Sequence, residues 1–572
     1  MARLLRLTLV AVVAVALVFF TAAYAQTDAA VAASEVDLEV VMTQVVHRHG
    51  ARSGIPRFNT SLICTESPCG FLNWAGIEMM LKTGAFLRQR YNEDRTVVNT
   101  PLFPSPNYDI EVSYSRSTDV PRTLQSAEAF LRSFFPNTSS QFSSIHTVPF
   151  RTDILLNSGA QPWLRFFYLH NQLLLHKVCN PLTDELYPDW TEITRIGKEI
   201  FLEGYCSNYT TRSDCVRILF DIAAAKKAVG ELDRFPLLEA NFEKLQRITR
   251  VLFAYEYRYN RSDPLMFRQG GRGQPMLREL VRNMDNKIAG TNKFKLMHYS
   301  THDISLAPVW GTLGDETDTG MLPVFAQVLV MELLKSKSTG AMHVRILRGA
   351  PGQSRETNFV FGWDPTWHMQ CMNSWGTAYY AEGNVCPYED FKRYVRWSEP
   401  GDARGYCYLD PDFVAIANCP TENTISGRPP RTTVSNTCQF YRISCPAFAC
   451  GNGYTLNSVS HHCVCSSRAC LDGPSTGITT RSGIANVKVA AIEAMPAIEA
   501  PANTAVRQSS GLSVGAVVSV SLATFCVGAA IAAAVTAFVC VCSRRRQPNA
   551  ADKREFSMLV DGRVDLSSAR EA

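Results

Sequence analysis

The chain has 572 residues, a formal net charge of +5 and eighteen cysteines, and at ~150 residues per domain it would hold three or four domains if both ends were globular. They are not, and they carry most of the charge: once two basic residues of the leader and the seven basic and five acidic residues of the tail are set aside, 48 basic residues face 47 acidic ones. A near-neutral body excludes nucleic acid as the expected partner, because counterion release needs a net basic face.

Arg3 and Arg6 precede an apolar run over residues 9–20, and Ala23-Tyr24-Ala25 supplies small residues for cleavage, so residues 1–25 read as a removed signal peptide. A Val-rich run over 40–46, broken only by Thr43 and Gln44, predicts a strand buried on both faces of a parallel sheet. It ends in His47-Arg48-His49-Gly50. Residues 74–91 repeat Ile77, Leu81, Gly84, Leu87 and Tyr91 at helical steps and predict a helix after that loop. A second strand is expected at 110–114, ahead of Ser115-Arg116-Ser117-Thr118-Asp119-Val120-Pro121-Arg122-Thr123. Residues from about 130 to 288 look mainly helical, with 219–253 broken near Pro236, and read as an insertion in one α/β domain. A third apolar run at 294–299 leads through Ser300 into Thr301-His302-Asp303. Functional side chains of α/β folds lie at the carboxyl ends of strands, where both histidine clusters are expected.

The cysteines divide unevenly, seven over residues 64–386 and eight over 407–470. Export makes disulfides the default for these fifteen, and the dense group predicts a small stapled module at 401–470. The odd number in the larger part leaves one thiol free or paired across modules. Sequons at Asn59, Asn137, Asn208 and Asn260 are glycosylation candidates of the same compartment. Residues 471–510 are rich in Gly, Ser, Thr, Ala and Pro and read as a stalk. Residues 511–543 lack any Asp, Glu, Lys or Arg and are followed by Arg544, Arg545 and Arg546, which predicts a single transmembrane helix with a cytoplasmic tail at 544–572. The chain is therefore expected to be a single-pass type I membrane protein of the endosomal/lysosomal system or cell surface, with its main domain lumenal or extracellular.

In Arg48-His49-Gly50-Ala51-Arg52 two arginines flank a histidine. Guanidinium forks match phosphate oxygens, and imidazole can act as a nucleophile that splits phosphoryl transfer into two steps. Gly50 is expected where a Cβ would crowd the incoming group.

These motifs closely resemble the histidine acid phosphatases, the second branch of the histidine phosphatase superfamily, with R-H-G-x-R-x-P first, R-S-T-D-V-x-R-T in prostatic- and lysosomal-type members, and H-D much later. The resemblance spans about residues 37–400. It implies a catalytic domain over 26–400 with a phosphoglycerate-mutase-like core sheet flanked by helices, and a helical insertion at about 130–288. It further implies hydrolysis of phosphomonoesters with His49 as nucleophile and Asp303 as general acid. Arg48, Arg52, Arg122 and His302 would bind phosphate, Arg116 would be structural, and the protein would form a homodimer. Three guanidiniums and an imidazole would stabilise the equatorial charge with no cofactor or metal. A free aspartate titrates near ~3.9, so an acidic optimum is expected. Gly54-Ile55 stands before Pro56 as an insertion relative to the family motif and is expected at the pocket lip.

Other signals are weaker. Gly473-Pro474-Ser475-Thr476-Gly477 has no strand before it, Gly270-Gly271-Arg272-Gly273 lacks the ending of a nucleotide loop, and export favours disulfides over zinc at His461-His462-Cys463-Val464-Cys465. His47 and His298 are expected to pack behind the site. The rival functions are a non-catalytic sorting receptor that keeps the fold, and an inositol-phosphate hydrolase, which a broad cationic rim would favour.

Overall fold

The computed structural model describes residues 37–466 apart from 56–59, 138–141, 162–180, 202–205, 207–211, 353–358, 363–366, 410–418, 420–434 and 452. The expected leader, stalk, span at 511–543 and tail, the sequons Asn59 and Asn208, and the Gly473–Gly477 motif lie outside the described residues. Among the described residues no helix is long and apolar enough to cross a membrane.

The elements that build the site are β1 (Leu38–Arg48), α1 (Trp74–Asn92), β2 (Ser113–Thr118), α2 (Pro121–Phe134), β3 (His146–Val148), α3 (Arg212–Ala228) and α4 (Phe242–Tyr257). They are followed by α5 (Gln274–Ile288), β4 (Leu296–Thr301), α6 (Asp303–Thr312), β5 (Val328–Ser336), β6 (Met342–Pro351), β7 (Phe359–Phe361) and β8 (Val385–Pro387). The strands form one eight-stranded sheet in the order β8-β6-β5-β1-β4-β2-β3, with β7 also on β6.

The sheet is mixed rather than parallel. β1, β4, β2 and β3 run parallel, whereas β5 and β6 form an antiparallel hairpin closed by Gly340 in the left-handed region, and β5 also pairs antiparallel with β1. β1 is buried on both faces as its sequence predicts. Met42 and Val46 join α5 in one core, while Val45 joins α1 and α2 in the other. A bulge between Val40 and Met42 turns Val40 to the second face despite its even spacing.

Several boundaries differ from the sequence reading. β2 starts at Ser113 because residues 109–112 make a turn in which the Asp109 carboxylate accepts from the Glu111 amide (2.8 Å) and its carbonyl from the Ser113 hydroxyl (2.6 Å). The Arg116 segment therefore lies on the strand, not after it. β4 likewise starts at Leu296, after the Asn292 side chain has capped the turn at Phe294 (2.9 Å). α1 buries Met80, Thr83, Gly84, Leu87 and Tyr91 while Ile77 is exposed. A Cβ at Gly84 would meet the Phe130 carbonyl of α2, so the close α1–α2 approach rotates the buried stripe.

The helical region is also smaller than expected, because residues 130–134 belong to α2, β3 extends the sheet and α5 covers one of its faces. Between them α3 and α4 build a third core with Leu219, Ile222, Leu245 and Ile248. α3 ends at Ala228, and the break before Pro236 contains Gly230 in the left-handed region. Six disulfides lie among the described residues: Cys64–Cys69, Cys206–Cys215, Cys371–Cys386, Cys407–Cys445, Cys419–Cys438 and Cys450–Cys463. The last of these engages the Cys463 considered above for zinc. The Gly270–Gly273 turn docks the chain beyond α7 (Tyr388–Trp397): the Gly271 amide donates to the Ser398 carbonyl (2.8 Å), and Pro400 sits where a Gly270 Cβ would go.

Candidate active site

Parallel pairing of β1 with β4 aligns Arg48 with Thr301, so the two histidine motifs leave the sheet side by side, with the His49 amide donating to the Thr301 carbonyl (2.9 Å). β2, next to β4, hands the chain to α2, whose second residue is Arg122. The structure thus brings all six predicted site residues, Arg48, His49, Arg52, Arg122, His302 and Asp303, to one cavity of about 420 Å³. Ile55 lines it too, exposed at the mouth, where the Gly54-Ile55 insertion was expected.

Each side chain has a defined anchor. Nδ1–H of His49 donates to the Gly50 carbonyl (2.8 Å), which fixes the tautomer and leaves Nε2 unprotonated and without a partner among the described residues. His302 is tied through Nε2 to the Thr118 hydroxyl (2.9 Å), and the two imidazoles meet edge to face at 5.5 Å. Arg48 donates to the Pro323 carbonyl and to Asp303, both at 2.8 Å, and stacks over Phe325 at 4.3 Å. Asp303 opens α6, with its other oxygen accepting from the Ile304 amide (2.8 Å). Arg122 has no ion pair among the described residues, and the Nε–H groups of Arg48, Arg52 and Arg122 are all buried without a partner. Three neighbouring unsatisfied cationic donors call for an anion.

The electrostatics suit a neutral nucleophile in a cationic cradle. Burial, then the Arg122, Arg48 and Arg52 guanidiniums, push the His49 imidazole well below the ordinary histidine range. Burial and the same arginines lower His302. Burial, and next Arg52, lower Arg122 to about 10, where it is still a cation at neutral and acid pH.

Gly50 has a different role from the one expected. Its Cβ would lie 2.8 Å from the Gly76 backbone and closer still to the Gly76 carbonyl oxygen, so it is the first turn of α1 that excludes a side chain there. Arg116 pairs with Asp153 (2.6 Å) and is structural as expected. His47 and His298 form a buried relay behind the site. The Ser115 hydroxyl lies 2.7 Å from His298 Nδ1, the two Nε2 atoms are 2.8 Å apart, and His47 Nδ1 is 3.0 Å from the Arg48 carbonyl. Since that carbonyl only accepts, His47 donates to it, His298 donates to His47, and Ser115 donates to His298. Of the described sequons, Asn260 is exposed, while the Asn137 amide nitrogen donates to Asn107 Oδ1 (2.6 Å).

Sequence reasoning missed Asp221. This α3 carboxylate grips Arg52 with both oxygens (2.7 and 3.1 Å) and lines the same cavity. Its 169-residue separation from Arg52 leaves no trace in any local motif.

The model of the histidine phosphatase superfamily (branch 2) matches residues 63–348, half of the chain. The bovine (Bos taurus) prostatic acid phosphatase is 27% identical over 321 residues, covering 52% of this chain and 74% of the relative. The Xenopus laevis lysosomal acid phosphatase is 26% identical over 319 residues, covering 52% and 67%. A solved Hafnia alvei phytase in complex with tartrate aligns over 65% of this chain and 99% of its own at 17% identity, with a TM-score of 0.45.

Proposed function

The chain belongs to the histidine phosphatase superfamily (branch 2) and is a phosphatase of the histidine acid phosphatase family, and from that premise we propose that it hydrolyses phosphomonoesters through a phosphohistidine at His49. The observation that carries this is the His49 ring, its Nδ1–H committed to Gly50 and its Nε2 without a partner among the described residues, in a cavity shared with three guanidiniums.

In the proposed cycle the phosphoryl oxygens lie among Arg48, Arg52, Arg122 and His302 while Nε2 of His49 attacks phosphorus. The P–O bond to the alcohol breaks, and protonated Asp303 supplies the proton the alcohol needs. Water then attacks the phosphohistidine, Asp303 takes a proton back, and inorganic phosphate leaves. The arginines supply the charge stabilisation that a metal gives other phosphoryl-transfer enzymes, so the reaction proceeds without one. Burial keeps His49 uncharged in acid, and the cycle requires Asp303 to enter it protonated, so the two conditions together give an acidic optimum. The enzyme is anchored by the 511–543 span with its site lumenal or extracellular.

The test is turnover of a chromogenic phosphomonoester by the detergent-solubilised full chain at about pH 5 in chelator, beside His49→Ala and after acid-stable and acid-labile phosphate are compared in quenched enzyme. Phosphate trapped on the wild type in acid-labile form and absent from His49→Ala is expected. Equal turnover by both would remove His49 as nucleophile, no turnover by either would favour the receptor function, and a rate climbing steadily from about pH 5 to about pH 9 would remove Asp303 as the acid.

A further inference from the structure

The cavity has two regions of different character. Its floor is cationic, built by Arg48, Arg52 and Arg122, while its walls are largely apolar, with Ile222, Phe242 and Phe253 from α3 and α4 facing Leu322 and Phe325. Charged groups of the outer wall nearly balance among the described residues. Arg217 is held by Glu256 at 2.7 Å, and Lys227, 4.0 Å over the Phe242 ring, shares the lining with Glu243. Between floor and wall stands Asp221, part-exposed, holding Arg52, which is itself nearly sealed.

This arrangement exceeds what orienting Arg52 requires. The Asp221 carboxylate takes the Nη1/Nη2 end of Arg52 and leaves its Nε–H for the phosphate, so the two anions share one guanidinium. It also remains a fixed negative charge beside the leaving group after the phosphate has bound. An uncharged apolar alcohol is indifferent to that charge and gains from the walls, whereas an alcohol carrying further phosphates is repelled by it and finds no surplus cation among the described residues of the wall to offset the repulsion.

Resting on the phosphatase function proposed above, we propose that Asp221 is a specificity-determining residue that restricts the site to monophosphate esters of uncharged, apolar alcohols and excludes polyphosphorylated ones. Asp221 does not touch the reacting atoms. It acts through Arg52 and through its own charge.

The experiment measures kcat and KM of the full chain for an aryl monophosphate and for inositol hexakisphosphate, in the wild type, Asp221→Asn, Asp221→Ser and Asp221→Glu. Wild type is expected to favour the aryl ester. Loss of the charge in Asp221→Asn or Asp221→Ser should raise the hexakisphosphate-to-aryl ratio of kcat/KM by about tenfold, chiefly through KM, as expected for one unit charge acting over several ångströms at a partly screened site. Asp221→Glu, which keeps the charge, should hold the ratio near wild type. Higher ionic strength should shrink the difference between wild type and Asp221→Asn. A ratio unchanged in both neutral variants, or an equal loss on both substrates, overturns the proposal and leaves Asp221 a support for Arg52. Two neutral variants keep the test available if one fails to fold. Failure of the wild type on the aryl ester would instead strike the phosphatase function itself, so the two failures are distinguishable.

Discussion

The histidine relay behind the site predicts an acid-dependent loss of stability assignable to one residue. His47 is buried and lowered by that burial to about 4, against 6.5 for an ordinary histidine. The hydrogen bonds explain why, since adding a proton at His47 Nε2 would place two hydrogens between nitrogens only 2.8 Å apart. Above about pH 6.5 the ring is neutral in both folded and unfolded chains and contributes no pH dependence. As pH falls from there to about 4 the unfolded chain binds a proton that the fold refuses, so stability is lost across that window and levels off below it. At ~1.36 kcal/mol per pH unit the loss from His47 alone is about 3 kcal/mol. The perturbation is His47→Gln, which keeps hydrogen-bonding capacity and cannot titrate. Urea unfolding of wild type and variant is followed from about pH 7.5 to about pH 4. The variant should be the less stable at neutral pH because its relay is imperfect, and the gap should narrow by about 3 kcal/mol in acid. Parallel curves for the two proteins would refute the buried-neutral assignment.

Gly50→Ala should lower stability by about 1–3 kcal/mol, because its Cβ meets backbone rather than a side chain that can move; thermal unfolding measures this, and kcat should fall as the His49 loop is displaced. Arg122→Ala should weaken inhibition by inorganic phosphate by about 1.5–3 kcal/mol, read as a rise in its inhibition constant, since Arg122 is the cation of the floor with no carboxylate to share among the described residues. Lys226→Ala should destabilise by about 3–5 kcal/mol, because this sealed ammonium holds Glu66 and donates to Thr65 (2.7 Å), stitching the Cys64–Cys69 loop to α3.

How much of this was legible in the sequence follows from the range of each interaction. β1 was readable because both its faces are buried, so hydrophobicity alone marks it, and the motif at its end is local. α1 was readable as a helix, yet its buried side was misjudged, because Gly84 and Gly76 invite close backbone approach that an apolar stripe does not register. Strand starts at Ser113 and Leu296 were missed because side-chain caps from Asp109 and Asn292 shift the entry. The role of Gly50 was misplaced for the same reason as Asp221 was overlooked. Each is defined by a partner brought in by folding, Gly76 in one case and Arg52 in the other.

The charges of the floor give the proposed acidic optimum a cause beyond aspartate chemistry in general. At rest Arg48 is matched by Asp303 and Arg52 by Asp221, with Arg122 left over among the described residues. A phosphomonoester dianion entering this set would leave four negative charges facing three positive ones in a largely dehydrated cavity. If Asp303 takes up a proton as the dianion takes over Arg48, the set becomes neutral, and the same proton is the one the leaving alcohol requires. Binding of a dianion should therefore draw about one proton from solution. Titration calorimetry with inorganic phosphate at about pH 8, where the free anion is itself mostly the dianion, repeated in buffers of different ionisation enthalpy, measures that uptake. Asp303→Asn should abolish it while still binding the anion, and an uptake of zero in the wild type, or an undiminished uptake in the variant, would detach the proton from Asp303.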